Sequence, residues 1–165
     1  MRYKLIIFDL DFTLYNECDF FIEVIKSTNL FPSTKNYSKI TYDFRINSKN
    51  IIHDILNLEN IMSEENADIV FEKMKNIKLK INCYPGIKEL LDILNNNDQL
   101  FVGLLTNGVP EIQKNKLKCL GLNKYFKQKI FAKDHGLQKP SKALINKMID
   151  KFNVSINSTI MIGDH

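Results

Sequence analysis

The chain has 165 residues, 44% of them hydrophobic, which is enough for one domain with a buried core, or for a core with one modest insertion. Lys and Arg number 23 against 19 Asp and Glu, but the basic residues are scattered rather than clustered with aromatic residues, so no nucleic-acid polymer is indicated as a partner. No apolar segment approaches the roughly 20 residues of a membrane span. We therefore expect a globular protein with no membrane association.

The cysteines are odd in number, without a Cys-x-x-Cys pair, and no charged and apolar leader with a cleavage site precedes the first predicted strand. We expect a cytoplasmic protein whose thiols are reduced. The histidines lie far apart in sequence and show no local metal-ligand spacing, so we expect ordinary surface or core roles for them. These residues are Cys18, Cys83 and Cys119, and His53, His135 and His165.

The first predicted element is a short buried strand from Lys4 to Phe8, which ends in two acids and a hydroxyl. Asp9 and Asp11 are two residues apart, so in extended geometry they share a face and can converge on one point. Two carboxylates suit Mg²⁺, which leaves room in its coordination shell for water and phosphate oxygens. Taken alone, an Asp-x-Asp pair followed by Thr13 is also compatible with an acidic turn at the end of a strand.

Residues 16 to about 82 carry four helical patterns and little strand signal. The clearest begins after Ser63, a plausible N-cap, and its apolar spacing predicts a helix continuing to Ile81. A weaker pattern runs from Tyr37 to Phe44. Because so long a segment is not expected to be a structureless loop, we predict a small helical subdomain inserted after the first strand. The positions that mark three of these patterns are Phe21, Val24, Ile25 and Thr28; Ile51, Ile52, Ile55 and Leu56; and Ala67, Val70, Phe71, Met74, Ile77 and Ile81.

From Tyr84 onward, predicted helices and strands alternate, which implies a parallel sheet covered on both faces. Pro110 can open a helix at its first turn, and Gly121 can close it in a left-handed conformation. The predicted strands are Leu100 to Leu105, Lys129 to Ala132, and Thr159 to Ile162. The predicted helices are one after Pro85 and Gly86 with Ile87, Leu90, Leu91 and Leu94 facing inward, one from Pro110 to Gly121, and one from Ser141 to Phe152 with Leu144, Ile145, Met148 and Phe152 facing inward.

Each predicted strand leads to polar residues, and in a parallel sheet all these strand ends lie at the same edge. Three acids, one ammonium group, two hydroxyls and an amide would then meet where the sheet opens, a composition suited to holding a metal and a phosphate together. The residues are Asp9, Asp11 and Thr13 after the first strand, Thr106 and Asn107 after the second, Lys139 after the third, and Gly163 and Asp164 after the fourth.

This set of residues favours phosphoryl transfer. A carboxylate that attacks a phosphate monoester must overcome like-charge repulsion, which Mg²⁺ and the Lys139 ammonium can offset. Asp9 is the predicted nucleophile and would form an aspartyl phosphate. Asp11 is predicted to protonate the departing alcohol and later to take a proton from water. Thr106 and the backbone N–H groups around Phe12 and Asn107 are predicted to bind the non-bridging phosphate oxygens.

Across essentially its whole length the chain resembles the haloacid dehalogenase superfamily of phosphatases. The resemblance implies a Rossmannoid fold, a helical cap inserted after the first motif, and Mg²⁺ held by Asp9, Asp164 and the main chain from Leu10 to Asp11. The four motifs that carry it stand in the family's order, each after a predicted strand: Asp9, Asp11 and Thr13; Thr106 and Asn107; Lys139 and Pro140; and Gly163 and Asp164.

In that family the chain continues beyond the fourth motif with another acid and further strands and helices, which are not present after Asp164. We therefore expect a C-terminally truncated form with a Rossmannoid core at residues 1–15 and 83–165 and a helical cap at 16–82. Phe12 also departs from the small or acidic residue common at this position, and we expect it to pack beneath the cap.

The predicted function is Mg²⁺-dependent hydrolysis of a small phosphomonoester, of the nucleotide or sugar monophosphate class. Three alternatives remain: a dehalogenase, against which Asp11 argues; a phosphomutase with the same four motifs; and a catalytically impaired phosphate-binding or phospho-acceptor protein. The sequence indicates no oligomeric state. The cap would exclude water from the reaction, and its candidates for contacting substrate, each otherwise a core or surface residue, are Phe20, Phe21, Tyr42 and Arg45.

Overall fold

The computed structural model describes residues 2–31, 37, 39, 43 and 50–164. Contacts within the chain divide it into two compact units. One comprises residues 1–16 and 80–165, and the other comprises Glu17–Leu79. No helix in the described part of the chain is both long enough and apolar enough to cross a lipid bilayer.

The first unit is built on a four-stranded parallel sheet in the order β3-β2-β1-β4. Phe8, the last residue of β1, lies opposite Leu104 of β2 and Ile162 of β4. This arrangement confirms the predicted α/β class with a parallel sheet. The strands are β1 Leu5–Phe8, β2 Phe101–Thr106, β3 Gln128–Phe131 and β4 Thr159–Ile162.

Six α-helices accompany the strands in the described residues, three in each unit. Short 3₁₀ turns at Asn123–Tyr125, Ala132–His135 and Ile156–Ser158 connect elements of the first unit. The helices are α1 Glu17–Ser27, α2 Ile51–Leu58, α3 Glu64–Asn76, α4 Ile87–Asn95, α5 Pro110–Leu120 and α6 Lys142–Phe152.

Helix α5 begins and ends as its sequence predicts. Pro110 occupies the first turn, where a backbone N–H would have no helical partner. Gly121 follows the last residue with φ of 69° and donates its N–H to the carbonyls of Leu117 and Lys118. This left-handed position favours glycine, because a side chain there meets the backbone. The two caps fix the ends of a helix whose buried face contributes to the candidate site.

The core beneath the sheet follows from alternation along β1. Leu5 and Ile7 point to one face, where they join a buried cluster that includes Met148 of α6. Phe8 points to the other face and contacts Phe126 edge to face, with ring centroids 6.5 Å apart. Both faces of β1 are therefore packed, as expected for a parallel sheet.

Two details of the predicted helices are wrong. Helix α3 ends at Asn76 rather than continuing to Ile81, because Ile77 is extended and the Ile81 N–H donates to the Cys119 carbonyl instead of a helical carbonyl. Leu90 of α4 is 39% exposed, whereas Leu91 is fully buried. Neighbouring residues on a helix point about 100° apart, so the face centred on Leu91 leaves Leu90 at its margin.

In the second unit, helix α3 starts as predicted: the Ser63 hydroxyl accepts the Asn66 N–H at 3.0 Å. Phe20 and Phe21 of α1 are buried and contact each other edge to face. Of the predicted helix from Tyr37 to Phe44, Tyr37, Lys39 and Asp43 are helical. The other residues of that segment, Tyr42 among them, lie outside the described residues, as do Arg45 and His165.

Candidate active site

Asp9 lies directly after β1 and is fixed at the sheet edge by backbone and side-chain contacts. Its N–H donates to the Ile162 carbonyl of β4 at 2.9 Å. One carboxylate oxygen accepts the Leu10 N–H at 2.7 Å, and the other pairs with the Lys139 ammonium at 2.5 Å. The residue is only 8% exposed, so the ion pair operates with little water around it.

Burial raises the pKa of the Asp9 carboxyl above its ordinary value, and the interactions with Lys139 and the Leu10 N–H only partly offset this effect. Asp11 nearby also contributes a small increase. A nucleophilic carboxylate must be ionised, so positive charge at this edge favours the reactive form of Asp9.

Lys139 reaches Asp9 because its loop is held to the end of β2. The Lys139 backbone N–H donates to Asn107 Oδ1 at 2.9 Å, and this bond joins residues 32 positions apart in sequence. The Asn107 side chain thus helps to place the Lys139 ammonium. Three of the predicted site residues, Asp9, Asn107 and Lys139, are brought together at the strand ends.

The Asp11 carboxylate makes a separate set of contacts. Its Oδ1 accepts the Tyr15 hydroxyl at 2.8 Å and the Lys116 ammonium at 2.9 Å. Its Oδ2 accepts Gln113 Nε2 at 2.7 Å. Burial acts to raise the pKa of Asp11, but Lys116 and, after it, Gln113 and Tyr15 outweigh burial and hold the pKa below its usual value.

Thr106, the last residue of β2, is connected to Asp11 through the same glutamine. Gln113 Nε2 donates to Thr106 Oγ1 at 2.6 Å, and the Thr106 hydroxyl donates to the Asn107 carbonyl at 3.1 Å. One side-chain amide therefore joins the first and second motifs across two strands.

Gln113 and Lys116 were missed by sequence reasoning, although the sequence holds a signal for them. Both lie on α5 at helical spacing from Leu117 and Leu120, the apolar residues that the helix buries. Gln113 is 1% exposed and Lys116 is 2% exposed. Polar residues on the apolar face of a helix are rarely buried without a partner, so this position alone could have indicated a site.

The loop after β1 has an unusual backbone. Phe12 adopts φ of 55°, a left-handed conformation that is rare for a bulky residue and is found at functional turns. The neighbouring Thr13 hydroxyl is buried, with no hydrogen-bond partner in the described part of the chain. A buried hydroxyl without a partner costs free energy that a bound anion or water can recover.

Among the described residues, no three His, Cys, Asp or Glu side chains lie close enough together to hold a metal ion. The donors at this edge nevertheless fit Mg²⁺ in kind, because all are oxygens. Asp164 lies two residues beyond Ile162, whose carbonyl accepts the Asp9 N–H. The Asp11 carboxylate is directed at Lys116 and Gln113, so position 11 would contribute its main-chain carbonyl.

Two curated proteins are similar to part of this chain. A phosphoserine phosphatase of Thermus thermophilus is 35% identical over 66 residues, 40% of this chain and 26% of that protein. The pyrimidine 5′-nucleotidase YjjG of Escherichia coli is 28% identical over 81 residues, 48% of this chain and 35% of that protein. The chain thus matches only about a third or less of the length of these curated relatives.

Among solved structures, the HAD-hydrolase YfnB of Bacillus subtilis, bound to magnesium, superposes with a TM-score of 0.69 at 20% identity, covering 98% of this chain and 78% of that one. At this identity the likeness establishes the fold. The model of the haloacid dehalogenase-like hydrolase family matches residues 6–165, in agreement with the resemblance of the four motifs. The chain belongs to the haloacid dehalogenase-like hydrolases.

Proposed function

We propose that this protein hydrolyses a small phosphomonoester through an aspartyl phosphate on Asp9. The observation that carries the proposal is the buried ion pair between the Asp9 carboxylate and the Lys139 ammonium, 2.5 Å apart, beside the Asn107 amide. A dianionic phosphate that approaches a bare carboxylate is repelled, and the ammonium offsets this repulsion. The same cation would stabilise the charge that develops on the transferring phosphoryl group.

Asp11 is the proposed proton donor to the departing alcohol and the proposed base for the water that releases phosphate. Its contact with Lys116 favours the ionised carboxylate, the form that the second step needs. For the first step the carboxyl must carry a proton, and the negative charge of an approaching phosphate would raise the pKa of Asp11 against the effect of Lys116. Thr106 and Asn107 are the proposed phosphate-binding residues.

The proposed metal ligands are Asp9, Asp164 and the main-chain carbonyl of Asp11. A bound Mg²⁺ would supply positive charge to the phosphate oxygens and the attacking carboxylate. The magnesium in the YfnB structure belongs to that protein, and it makes Mg²⁺ the first cation to test here.

The names of two relatives suggest a substrate class. One is a phosphoserine phosphatase and the other a pyrimidine 5′-nucleotidase. Both act, by their names, on small alkyl phosphates. The nucleotidase supports the nucleotide class expected from the sequence, whereas phosphoserine is an amino-acid phosphate outside that class. We also propose a cytoplasmic location, as expected from the odd number of cysteines and the lack of a Cys-x-x-Cys pair in the sequence.

A phosphate-release screen tests the function. Phosphoserine, uridine 5′-monophosphate, sugar monophosphates and an aryl phosphate are incubated with the protein, in Mg²⁺ and in EDTA. We expect Mg²⁺-dependent release that Asp9→Asn reduces to background, because an amide cannot form the aspartyl phosphate. Asp98→Asn, a change at an exposed acid of the same unit, is the matched control and keeps full activity.

Turnover by Asp9→Asn at the parent rate would remove Asp9 from its role as nucleophile. An isomerised sugar phosphate without phosphate release would instead identify a phosphomutase. Tight phosphate binding with no turnover by the parent would favour the impaired phosphate-binding alternative.

A further inference from the structure

One buried amide links two residues of the proposed active site. Gln113 is 1% exposed, and its Nε2 lies 2.7 Å from Asp11 Oδ2 and 2.6 Å from Thr106 Oγ1. A side-chain amide has two N–H donors, so it can serve both acceptors at once. Asp11 follows β1 and Thr106 ends β2, and the Gln113 side chain fixes their separation.

Lys116 holds the other oxygen of the same carboxylate. Its side chain is 3% exposed, and its Nζ lies 2.9 Å from Asp11 Oδ1. An ammonium is rarely buried unless it is paired. Because donors contact both oxygens of Asp11, they fix the orientation of its carboxylate as well as its position.

We propose that Gln113 and Lys116 are positioning residues that set the Asp11 carboxyl relative to Thr106 for proton transfer to the leaving group. This inference rests on the proposed hydrolase function. Neither residue needs to touch the substrate. They act through Asp11, whose distance from the leaving oxygen decides whether its proton can be transferred.

The step that depends on this placement is the first half of the reaction. A bond forms between an Asp9 oxygen and phosphorus as the bond from phosphorus to the leaving oxygen breaks. The electron pair of that bond goes to the leaving oxygen, which takes the proton of the Asp11 carboxyl. An alkoxide is a poor leaving group without this proton, whereas 2,4-dinitrophenolate departs without it.

The test compares kcat/KM for the alkyl phosphate that the parent hydrolyses fastest with kcat/KM for 2,4-dinitrophenyl phosphate. This parameter depends on the steps up to departure of the leaving group and does not depend on later hydrolysis of the aspartyl phosphate. The variants are Gln113→Met, Lys116→Met and Lys116→Arg. The matched controls are Gln99→Met, at an exposed glutamine, and Lys118→Met, at an exposed lysine of the same helix.

In Gln113→Met and Lys116→Met we expect kcat/KM for the alkyl phosphate to fall by about 10- to 100-fold, the range of proton-transfer contributions. The value for the dinitrophenyl ester should fall by no more than about threefold, since it needs no proton from Asp11. Lys116→Arg keeps a cation and N–H donors. Its ratio of kcat/KM for the alkyl phosphate to kcat/KM for the dinitrophenyl ester should therefore lie much closer to that of the parent than the ratio in Lys116→Met does. The controls leave both values unchanged.

If α5 has a purely structural role, the substitutions should lower kcat/KM for both substrates equally. That result would contradict the inference while leaving the proposed function intact. If Gln113→Met does not fold, Tyr15→Phe is the substitute variant, because it deletes one hydroxyl donor to the same carboxylate. It should also lower kcat/KM for the alkyl phosphate more than kcat/KM for the dinitrophenyl ester. A parent that hydrolyses the aryl ester but no alkyl phosphate lacks an effective proton donor, which would also overturn the inference. A parent inactive on every ester would remove the proposed function and this inference together.

Discussion

At the scale of single residues, the candidate site consists of two neighbouring ion pairs. Asp9 pairs with Lys139, and Asp11 pairs with Lys116. Each carboxylate is thereby neutralised, so an approaching phosphate does not meet two uncompensated negative charges. This balance is what a site for a dianionic substrate requires.

Lys139→Ala should lower kcat/KM for an aryl phosphate by about 10²- to 10³-fold, because the positive charge next to the transferring phosphoryl group is lost. Steady-state kinetics measure the change, and circular dichroism checks that the fold is retained. Lys133→Ala removes an exposed lysine of the preceding turn and serves as the control. Unchanged kcat/KM in Lys139→Ala would refute the assignment of the lysine.

Lys116→Met should lower the free energy of unfolding by about 3 kcal/mol, since removing one partner of a buried pair leaves the other charge without compensation. Urea denaturation measures it. Lys118→Met on the same helix should change stability by less than about 0.5 kcal/mol. Adding Asp11→Asn to Lys116→Met should recover part of the loss, and a double variant even less stable than Lys116→Met would contradict a charge origin.

At the scale of elements, helix α5 matters most because it delivers Gln113 and Lys116 to the strand ends. Its position depends on where it starts and stops. Pro110 fixes the first turn and Gly121 the last, with φ of 69° at the glycine. The sequence predicted these caps, but it did not predict that the buried polar residues of the helix contact Asp11.

Gly121→Ala should destabilise the protein by about 1 kcal/mol, the cost of a side chain in the left-handed region. Among the described residues, an added Cβ would meet only the Lys88 ammonium, at 3.6 Å, so backbone strain rather than a clash determines the effect. Thermal and urea unfolding measure it. Gly121→Asn should cost less than Gly121→Ala, because asparagine tolerates this conformation better, and the reverse order would argue against strain.

At the scale of the whole molecule, the parallel sheet brings four separated segments to one edge. The Asp9 N–H bond to Ile162 joins the exits of β1 and β4, and the Asn107 bond to Lys139 joins β2 to the loop after β3. A cation bound by residues that follow these strands would connect segments that are distant in sequence.

Mg²⁺ should therefore raise the unfolding temperature by several degrees at about 100 times its dissociation constant, since a ligand of the folded state alone stabilises by about 2.7 kcal/mol at that concentration. Differential scanning calorimetry with Mg²⁺ and with EDTA measures the shift without any need for turnover. Asp164→Asn should abolish most of the shift, and Asp98→Asn should keep it. An equal shift in Asp164→Asn would exclude Asp164 as a ligand.

The sequence by itself determined the class of fold, because apolar runs that alternate with helical patterns have few stable arrangements other than a parallel sheet. It also determined that Asp9, Asn107 and Lys139 belong together, since parallel strands end at one edge. Local periodicity placed the end of α3 wrongly, because the hydrogen bond from Ile81 to Cys119 joins residues far apart in sequence.

Only the tertiary structure decided which groups surround Asp11. Gln113 and Lys116 lie more than 100 positions away along the chain, and a helical pattern shows that they are buried without showing what they contact. Side-chain partners depend on how helices and strands pack in three dimensions. Local sequence cannot specify this packing, because the same buried lysine would suit any carboxylate placed within its reach.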